Sequence, residues 1–301
     1  MSEKIYIEKI NSTIDFIRNN LGRKLSLEEI SDAAGLSKFH FHRIFHAFTD
    51  ESLYETIVRL SIEKAAETLL TDSSVSIANL ALASGFEDAT GFSAAFKKRF
   101  SISPSGWRKN KNKTGHQGEL EAAYPAIRPG KKVDGEVKAL SFEIRKLDGF
   151  SIAFIRHTGA YAGDSSLFIY LYNKLTSWAA SKNLLTPECE NIVVYNDPTE
   201  ITDDNRLRIS LGISVPETTK TGGDFDKMQL QGGEYLVCRY RLRDDQYGTA
   251  WNQVYRYWLP KLGLLPADGH CFELYPNKID NPDKYSSIVD ICVPVISPTS
   301  R

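Results

Sequence analysis

At 301 residues, 42% hydrophobic and 25% charged, the chain has room for two ordinary domains and falls outside the disordered and fibrous classes. A formal net charge of −1 excludes attraction of nucleic acid by the chain as a whole, so any such surface must be local. Cys189, Cys238, Cys271 and Cys292 form no CxxC and no Cys/His pair at ligand spacing; they read as reduced, mostly buried thiols, and no metal or cofactor is expected.

The opening MSEKIYIEKI lacks the continuous apolar segment of a signal peptide, and no apolar run reaches bilayer-spanning length, which predicts a cytoplasmic protein without a membrane partner. From Ile5 to Phe100 apolar residues recur at helical spacing. Leu25-Ser26-Leu27-Glu28-Glu29-Ile30 contains a capping box, since the Ser26 hydroxyl can accept from early helix N–H groups while Glu29 reaches back. That helix should stop at Gly35, the residue suited to a left-handed turn. A second helix follows Ser37, with Phe41, Ile44, Phe45 and Phe48 as its core stripe. Phe39, His42, Arg43 and His46 then fall together on the opposite, outward face. A short helix, a glycine turn and a helix displaying Arg and His is the arrangement that enters a major groove.

The pattern recurs. Ala33-Ala34-Gly35 returns as Ala83-Ser84-Gly85, 50 residues on. The second unit places Phe92, Ala95, Phe96 and Phe100 inward, leaving Thr90, Ser93, Ala94 and Lys97 outward. The joining helix, from Leu53 to Leu70, would span about 27 Å, comparable with the roughly 34 Å of one duplex turn. Lys97 to Lys113 carries seven basic residues and no acid, which fits a solvated helix end and phosphate contact equally.

Residues 114–140 hold scattered glycine, proline and charge with little periodicity and read as a linker between a domain at 1–113 and another at 141–301. The second domain also repeats itself, with an offset of about 80 residues: Phe142 and Gly149 match Phe225 and Gly232, Trp178 matches Trp258, Tyr195 matches Tyr275, and Val215-Pro216 matches Val293-Pro294. Each copy reads strand, helix, strand, strand, so the pair predicts a pseudo-symmetric α/β domain with a cleft where the copies meet. On the strand His270 to Tyr275, residues Cys271, Glu273 and Tyr275 share one face. The counterpart of Glu273 is Val193, so the cleft should carry a single, off-centre negative charge. An exposed strand glutamate is the competing reading. Tyr161, Tyr170, Trp251, Tyr255 and Tyr257 lie near the repeat's helices, and aromatic faces with one carboxylate suit a lipophilic organic cation.

Residues 8–108 resemble the paired helix-turn-helix domain of the AraC/XylS family of transcription regulators, through LSLEEISDAAGLSKFHFHRIF, SIEKAAETLL and IANLALASGFEDATGFSAAFKKRFSISPSGWR. The resemblance implies base-edge contact from Phe39, His42 and Arg43, with His46, Thr90 and Ser93 on the same reading faces and Lys38 and Lys97 nearer phosphates. Ala94 stands where the family is frequently basic, which demotes the second unit to a supporting grip. Asp50 and Ser101 stand where the family often has glycine. Residues 142–295, through IRHTGAY, CFELYPN and DICVPV, resemble the GyrI-like effector-binding domain. The implied fold is multidomain: an all-α tandem helix-turn-helix domain followed by an α/β (α+β), duplicated GyrI-like domain. The implied partners are double-stranded DNA, a small-molecule effector lined by Glu273, Tyr275, Cys271, Tyr161, Trp251 and Tyr255, and RNA polymerase, in a multidrug-sensing role. A non-catalytic regulator is the expected function. The alternatives are a GyrI-like hydrolase, with Cys271 beside Glu273, and a protein that sequesters a toxic ligand.

Overall fold

A computed structural model describes residues 2–72, 74–109, 137–197, 202, 204–276 and 286–296. Up to residue 136, the expected linker at 114–140 lies outside the described residues. The chain divides into two compact units: one from Lys4–Lys38 and Phe48–Pro129, the other from Met1–Glu3, Phe39–Ala47 and Gly130–Arg301, which holds the C-terminal domain. No helix among the described residues is long and apolar enough to cross a membrane.

The N-terminal helices are α1 (Ser2–Asn19), α2 (Leu27–Ala34), α3 (Lys38–Thr49), α4 (Leu53–Thr71), α5 (Ile77–Ala83), α6 (Ala89–Phe100) and α7 (Pro104–Lys109). Their starts follow from capping chemistry. The Glu29 N–H donates to Ser26 Oγ at 3.2 Å and the Ser26 N–H to Glu29 Oε2 at 2.9 Å, and Ser52 with Glu55 repeats the reciprocal bond at the head of α4. Gly35 closes α2 at φ 56°, as its missing side chain allows. Asp50 (φ 56°) and Ser101 (φ 60°) hold the same left-handed geometry after α3 and α6. Asp tolerates it through local hydrogen bonding; for Ser101 it costs roughly 1–2 kcal/mol relative to a right-handed residue.

Ion pairs and a buried indole tie α4 to α6 and α7. Arg59 binds Glu51 at 2.9 Å and Glu63 at 3.4 Å, and Arg99 of α6 meets Glu63 at 3.4 Å. Burial pushes the Glu63 carboxyl up and the two arginines pull it back, leaving it raised. Trp107 of α7 is fully buried among Phe96, Phe100, Leu69 and Ala66. Of the basic stretch, Arg99 is thus held internally and Arg108 bonds the Val75 carbonyl, while Lys97, Lys98 and Lys109 are exposed.

The C-terminal domain is built on β1 (Ser141–Leu147), β2 (Phe150–Thr158), α8 (Ser165–Ser181), β3 (Asn191–Tyr195) and β4 (Arg208–Val215). They are followed by β5 (Phe225–Leu230), β6 (Gly233–Leu242), α9 (Tyr247–Gln253), a π-helical turn (Val254–Trp258), α10 (Leu259–Leu262), β7 (Leu265–Pro266), β8 (Phe272–Tyr275) and β9 (Ser287–Ile296). Each repeat therefore opens with two strands where the sequence reading has one, because Gly149 and Gly232 bend the chain between them. The sheet order is β1-β6-β9-β8-β3-β4-β2-β5, with β7 beside β9, and every pairing is antiparallel. Exchanging each strand for its repeat counterpart maps this order onto its own reverse, so an approximate twofold axis passes between β3 and β8.

The first strand of each repeat pairs with the second strand of the other: β1 with β6, and β5 with β2. This exchange makes the two bends cross. A Cβ on Gly232 would lie 2.7 Å from the Gly149 backbone nitrogen, closer than any side chain can approach, which accounts for glycine at 232; at 149 the same contact is milder, a Cβ there lying 3.2 Å from the Gly232 nitrogen. The exchange also places Trp178 on Phe225 (ring centroids 4.6 Å apart) and Trp258 on Phe142 (4.1 Å), the same contact made twice. One face of the sheet packs Ala153, Val193, Leu211 and Ile213 with Leu171 and Leu175 of α8, and the other packs Ile152, Ile192, Val194, Tyr235 and Phe272.

Candidate functional site

The β3·β8 pairing sets Val193 directly opposite Glu273. With the 80-residue offset this is the one position of that ladder that faces its own counterpart, so Glu273 lies beside the pseudo-twofold axis. The off-centre charge expected from sequence is corrected accordingly: parity and offset give the face and the counterpart, but only the register gives the axis. The competing exposed-strand reading also falls, because Glu273 is fully buried.

A buried carboxylate needs donors, and Glu273 has three. Tyr195 and Tyr275 donate their hydroxyls to Oε2 at 2.9 and 2.8 Å, and Trp251 donates Nε1–H to Oε1 at 2.6 Å. The two tyrosines are repeat counterparts, each two residues beyond the axial pair, so the twofold itself delivers both to one oxygen. Trp251 breaks the symmetry, since its counterpart is Leu171. Burial pushes the Glu273 carboxyl above its ordinary range, against the lowering effect of the Trp251, Tyr275 and Tyr195 hydrogen bonds and of the Arg43 charge. Tyr247 extends the network, its hydroxyl lying 3.4 Å from that of Tyr275, whose single proton is given to Glu273.

The remaining effector residues expected from sequence are distributed around this centre. Tyr255 stacks beside Trp251 (6.4 Å, 21°) and meets Cys271 Sγ through its hydroxyl at 3.4 Å. Tyr161 is buried behind Tyr195, with ring centroids 5.9 Å apart. Tyr170 and Tyr257, 61% and 46% exposed, are not part of the arrangement. Tyr195, Tyr247 and His40 are added by the structure. Tyr195 carries a signal in the sequence, as the counterpart of Tyr275; His40 carries none beyond its place in α3.

The segment Phe39–Ala47 belongs to this same unit. His40, fully buried, lies 2.8 Å through Nε2 from the Ala267 carbonyl and 2.9 Å through Nδ1 from the Tyr255 hydroxyl. The carbonyl requires a donor, so Nε2 carries a proton. One turn on, the Arg43 guanidinium carbon sits 4.4 Å from the centroid of the Trp251 ring, with the Tyr255 and Tyr195 centroids at 5.9 and 6.0 Å. Its Nη1 is 3.8 Å from Cys271 Sγ. Burial raises the Cys271 thiol, but His40 and Arg43 pull it down to about 6.

The outward reading face expected for α3 is not open in this structure. Arg43 is covered by rings, and His42, expected at a base edge, is 5% exposed with its ring edge-on to Phe41 at 5.8 Å. Helical geometry fixes which side chains share an arc, not what packs over it. His46 is half-buried, and the Phe39 side chain lies outside the described ones. Lys38 is exposed and pairs with Glu28 at 2.8 Å. On α6, Thr90, Ala94 and Lys97 are exposed and Ser93 is half-buried, while Phe92, Phe96 and Phe100 are buried.

Comparison with known proteins covers both domains. Residues 140–296 match the GyrI-like small molecule binding domain and residues 30–110 a helix-turn-helix domain. The multiple antibiotic resistance protein MarA of Escherichia coli (strain K12) is 34% identical over 116 residues, 38% of this chain and 87% of MarA. A DNA gyrase inhibitor of Yersinia enterocolitica is 34% identical over 90 residues, 29% of this chain and 57% of the inhibitor. Among solved structures, an AraC-type transcriptional regulator from Chromobacterium violaceum aligns with 35% of this chain and 93% of its own at 24% identity and a TM-score of 0.33. The EcmrR–DNA complex aligns with 89% and 84% at 13% identity and a TM-score of 0.44. The chain belongs to the GyrI-like family and carries an AraC-type helix-turn-helix domain ahead of its GyrI-like domain, making it a DNA-binding transcription regulator of the AraC family.

Proposed function

We propose that the C-terminal domain senses a small organic cation at Glu273 and that its occupancy alters operator binding or the engagement of RNA polymerase by the helix-turn-helix domain, in the cytoplasm. The observation that carries this reading is a fully buried carboxylate whose oxygens are held by the Trp251 N–H and the Tyr195 and Tyr275 hydroxyls, beside the ring faces that Trp251, Tyr195 and Tyr255 turn to a guanidinium. Such a site repels anions, gains little from neutral molecules and attracts a cation through both the carboxylate and the rings. Base reading is assigned to α3 through Arg43, whose bidentate donors match guanine, and backbone contact to Lys97. A hydrolase is less well supported. The Glu273 oxygens already accept from three donors, so this carboxylate is not poised as a base for Cys271.

Calorimetric titration of the full chain tests the sensing half. Benzamidinium, a planar cation, is expected to bind saturably, whereas benzamide, its neutral near-isostere, should bind at least about tenfold more weakly, the loss of one charge-assisted contact. Equal affinities would overturn the cation reading. For the DNA half, Lys97→Ala is expected to weaken binding to all sequences alike and to lower the slope of log affinity against log salt by about 1. Gel shifts at several salt concentrations measure this, and a loss confined to one operator sequence would contradict a phosphate role.

A further inference from the structure

The rings that hold Glu273 also hold Arg43. Trp251 donates to the carboxylate through its indole edge while its face lies under the guanidinium, and Tyr195 does the same with its hydroxyl and its ring. A guanidinium at this place, near a buried carboxylate and among three aromatic faces, has the chemistry expected of a bound organic cation. It is not there by accident of a long side chain. His40, one turn earlier on the same helix, is anchored on both ring nitrogens, to Tyr255 and to the Ala267 carbonyl, and fixes the helix so that Arg43 projects among the rings. Two side chains thus commit α3 to the site, and both are taken from the helix whose Arg43 is assigned to base reading.

We propose that Arg43 is the built-in occupant of the Glu273 site, so that α3 and an external planar cation of guanidinium or amidinium geometry compete for it, and filling the site from outside frees Arg43 to read DNA. This inference rests on the cation-sensing reading above. One guanidinium cannot lie on Trp251 and bridge a guanine edge at once. Cation and operator therefore both bind the undocked arrangement, and each raises the affinity of the other by the same factor. Where the docked arrangement is populated about nine to one, each external ligand binds about tenfold more weakly than it would to an empty site. The ligand's chemistry is dictated by the occupant: flat, delocalised, singly charged, and able to stack on Trp251 while its N–H groups point toward the Glu273 carboxylate.

The test titrates benzamidinium into the full chain, its Arg43→Ala variant and its His40→Gln variant, each with and without operator DNA. Removing the competitor is expected to raise benzamidinium affinity about tenfold in Arg43→Ala, and operator DNA should raise it by a similar factor in the unmodified chain but not in that variant. His40→Gln loosens the docking and keeps Arg43, so it should raise benzamidinium affinity and, without any cation, operator affinity as well. Equal benzamidinium binding by the unmodified chain and both variants would overturn the competition while leaving the cation site standing. Weaker binding by Arg43→Ala would also overturn it, since Arg43 would then help the ligand. Absence of binding in all three would remove the cation site and this inference together.

Discussion

Trp107→Ala is expected to lower the stability of the helical N-terminal unit by about 3–5 kcal/mol, the usual cost of emptying a buried tryptophan site. Trp107 is the largest fully buried side chain among the described residues. Its ring lies 4.5 Å from Phe100 and 5.8 Å from Phe96 by centroids, and its Nε1–H donates to the Ala66 carbonyl at 3.2 Å. The six residues of α7 cannot hold a helix alone. The indole pins them under α4 and α6, and with them the supporting end of the second helix-turn-helix. Trp107→Phe keeps the aromatic packing against both phenylalanines and should cost less than half as much. Denaturant unfolding followed by far-ultraviolet circular dichroism measures both variants, and a loss below about 1 kcal/mol for the alanine variant would show that α7 is held by something else.

Most of the helical half was legible because its signals are local. Ser26 with Glu29, Gly35, and the stripe Phe41, Ile44, Phe45 and Phe48 each depend on residues within two turns, and all adopt the expected geometry. The sheet was legible only as far as the repeat went. Gly149 and Gly232 were visible landmarks, but the strand exchange that brings them together is a long-range pairing that no local pattern encodes. Glu273, Trp251 and Tyr255 could be picked out by strand parity and aromatic supply. Tyr195 was within reach through its match with Tyr275, since the offset that pairs strands also pairs hydrogen-bond donors. His40 was not, because its partners Tyr255 and Ala267 lie 215 and 227 residues away.

The duplication also explains why a single charge sits where it does. Opposed residues on neighbouring antiparallel strands have Cβ atoms roughly 4.5–5.5 Å apart. A glutamate at both axial positions would bury two carboxylates in mutual repulsion, each losing part of its donor set. Val193 opposite Glu273 avoids that and leaves both symmetry-related tyrosines to serve one acceptor. The asymmetry of the site is thereby a consequence of its position on the axis, and a ligand with one positive charge matches it.

Glu273→Gln is expected to weaken benzamidinium binding on the order of 10–100-fold, about 1.5–3 kcal/mol for the loss of a charge-assisted partner, without a matching loss of stability. The two effects separate because burial has raised the carboxyl in the folded chain. Between the unfolded and the folded titration points, the folded chain keeps a proton that the unfolded chain has released. The contribution of this group to stability is therefore complete below the unfolded value and declines as pH rises through the raised one. The amide, which cannot ionise, escapes that decline, so above the raised titration point the variant should be no less stable than the parent. Cation binding has the opposite dependence: it favours the ionised carboxylate and strengthens as pH rises through the same point. Cys271, which titrates at about 6 under the influence of His40 and Arg43, would add its own dependence, so the pH series is run in a Cys271→Ala background. There the parent should show affinity increasing with pH and Glu273→Gln a flat profile. A flat profile in both, with equal affinities, would mean that the cation is held elsewhere.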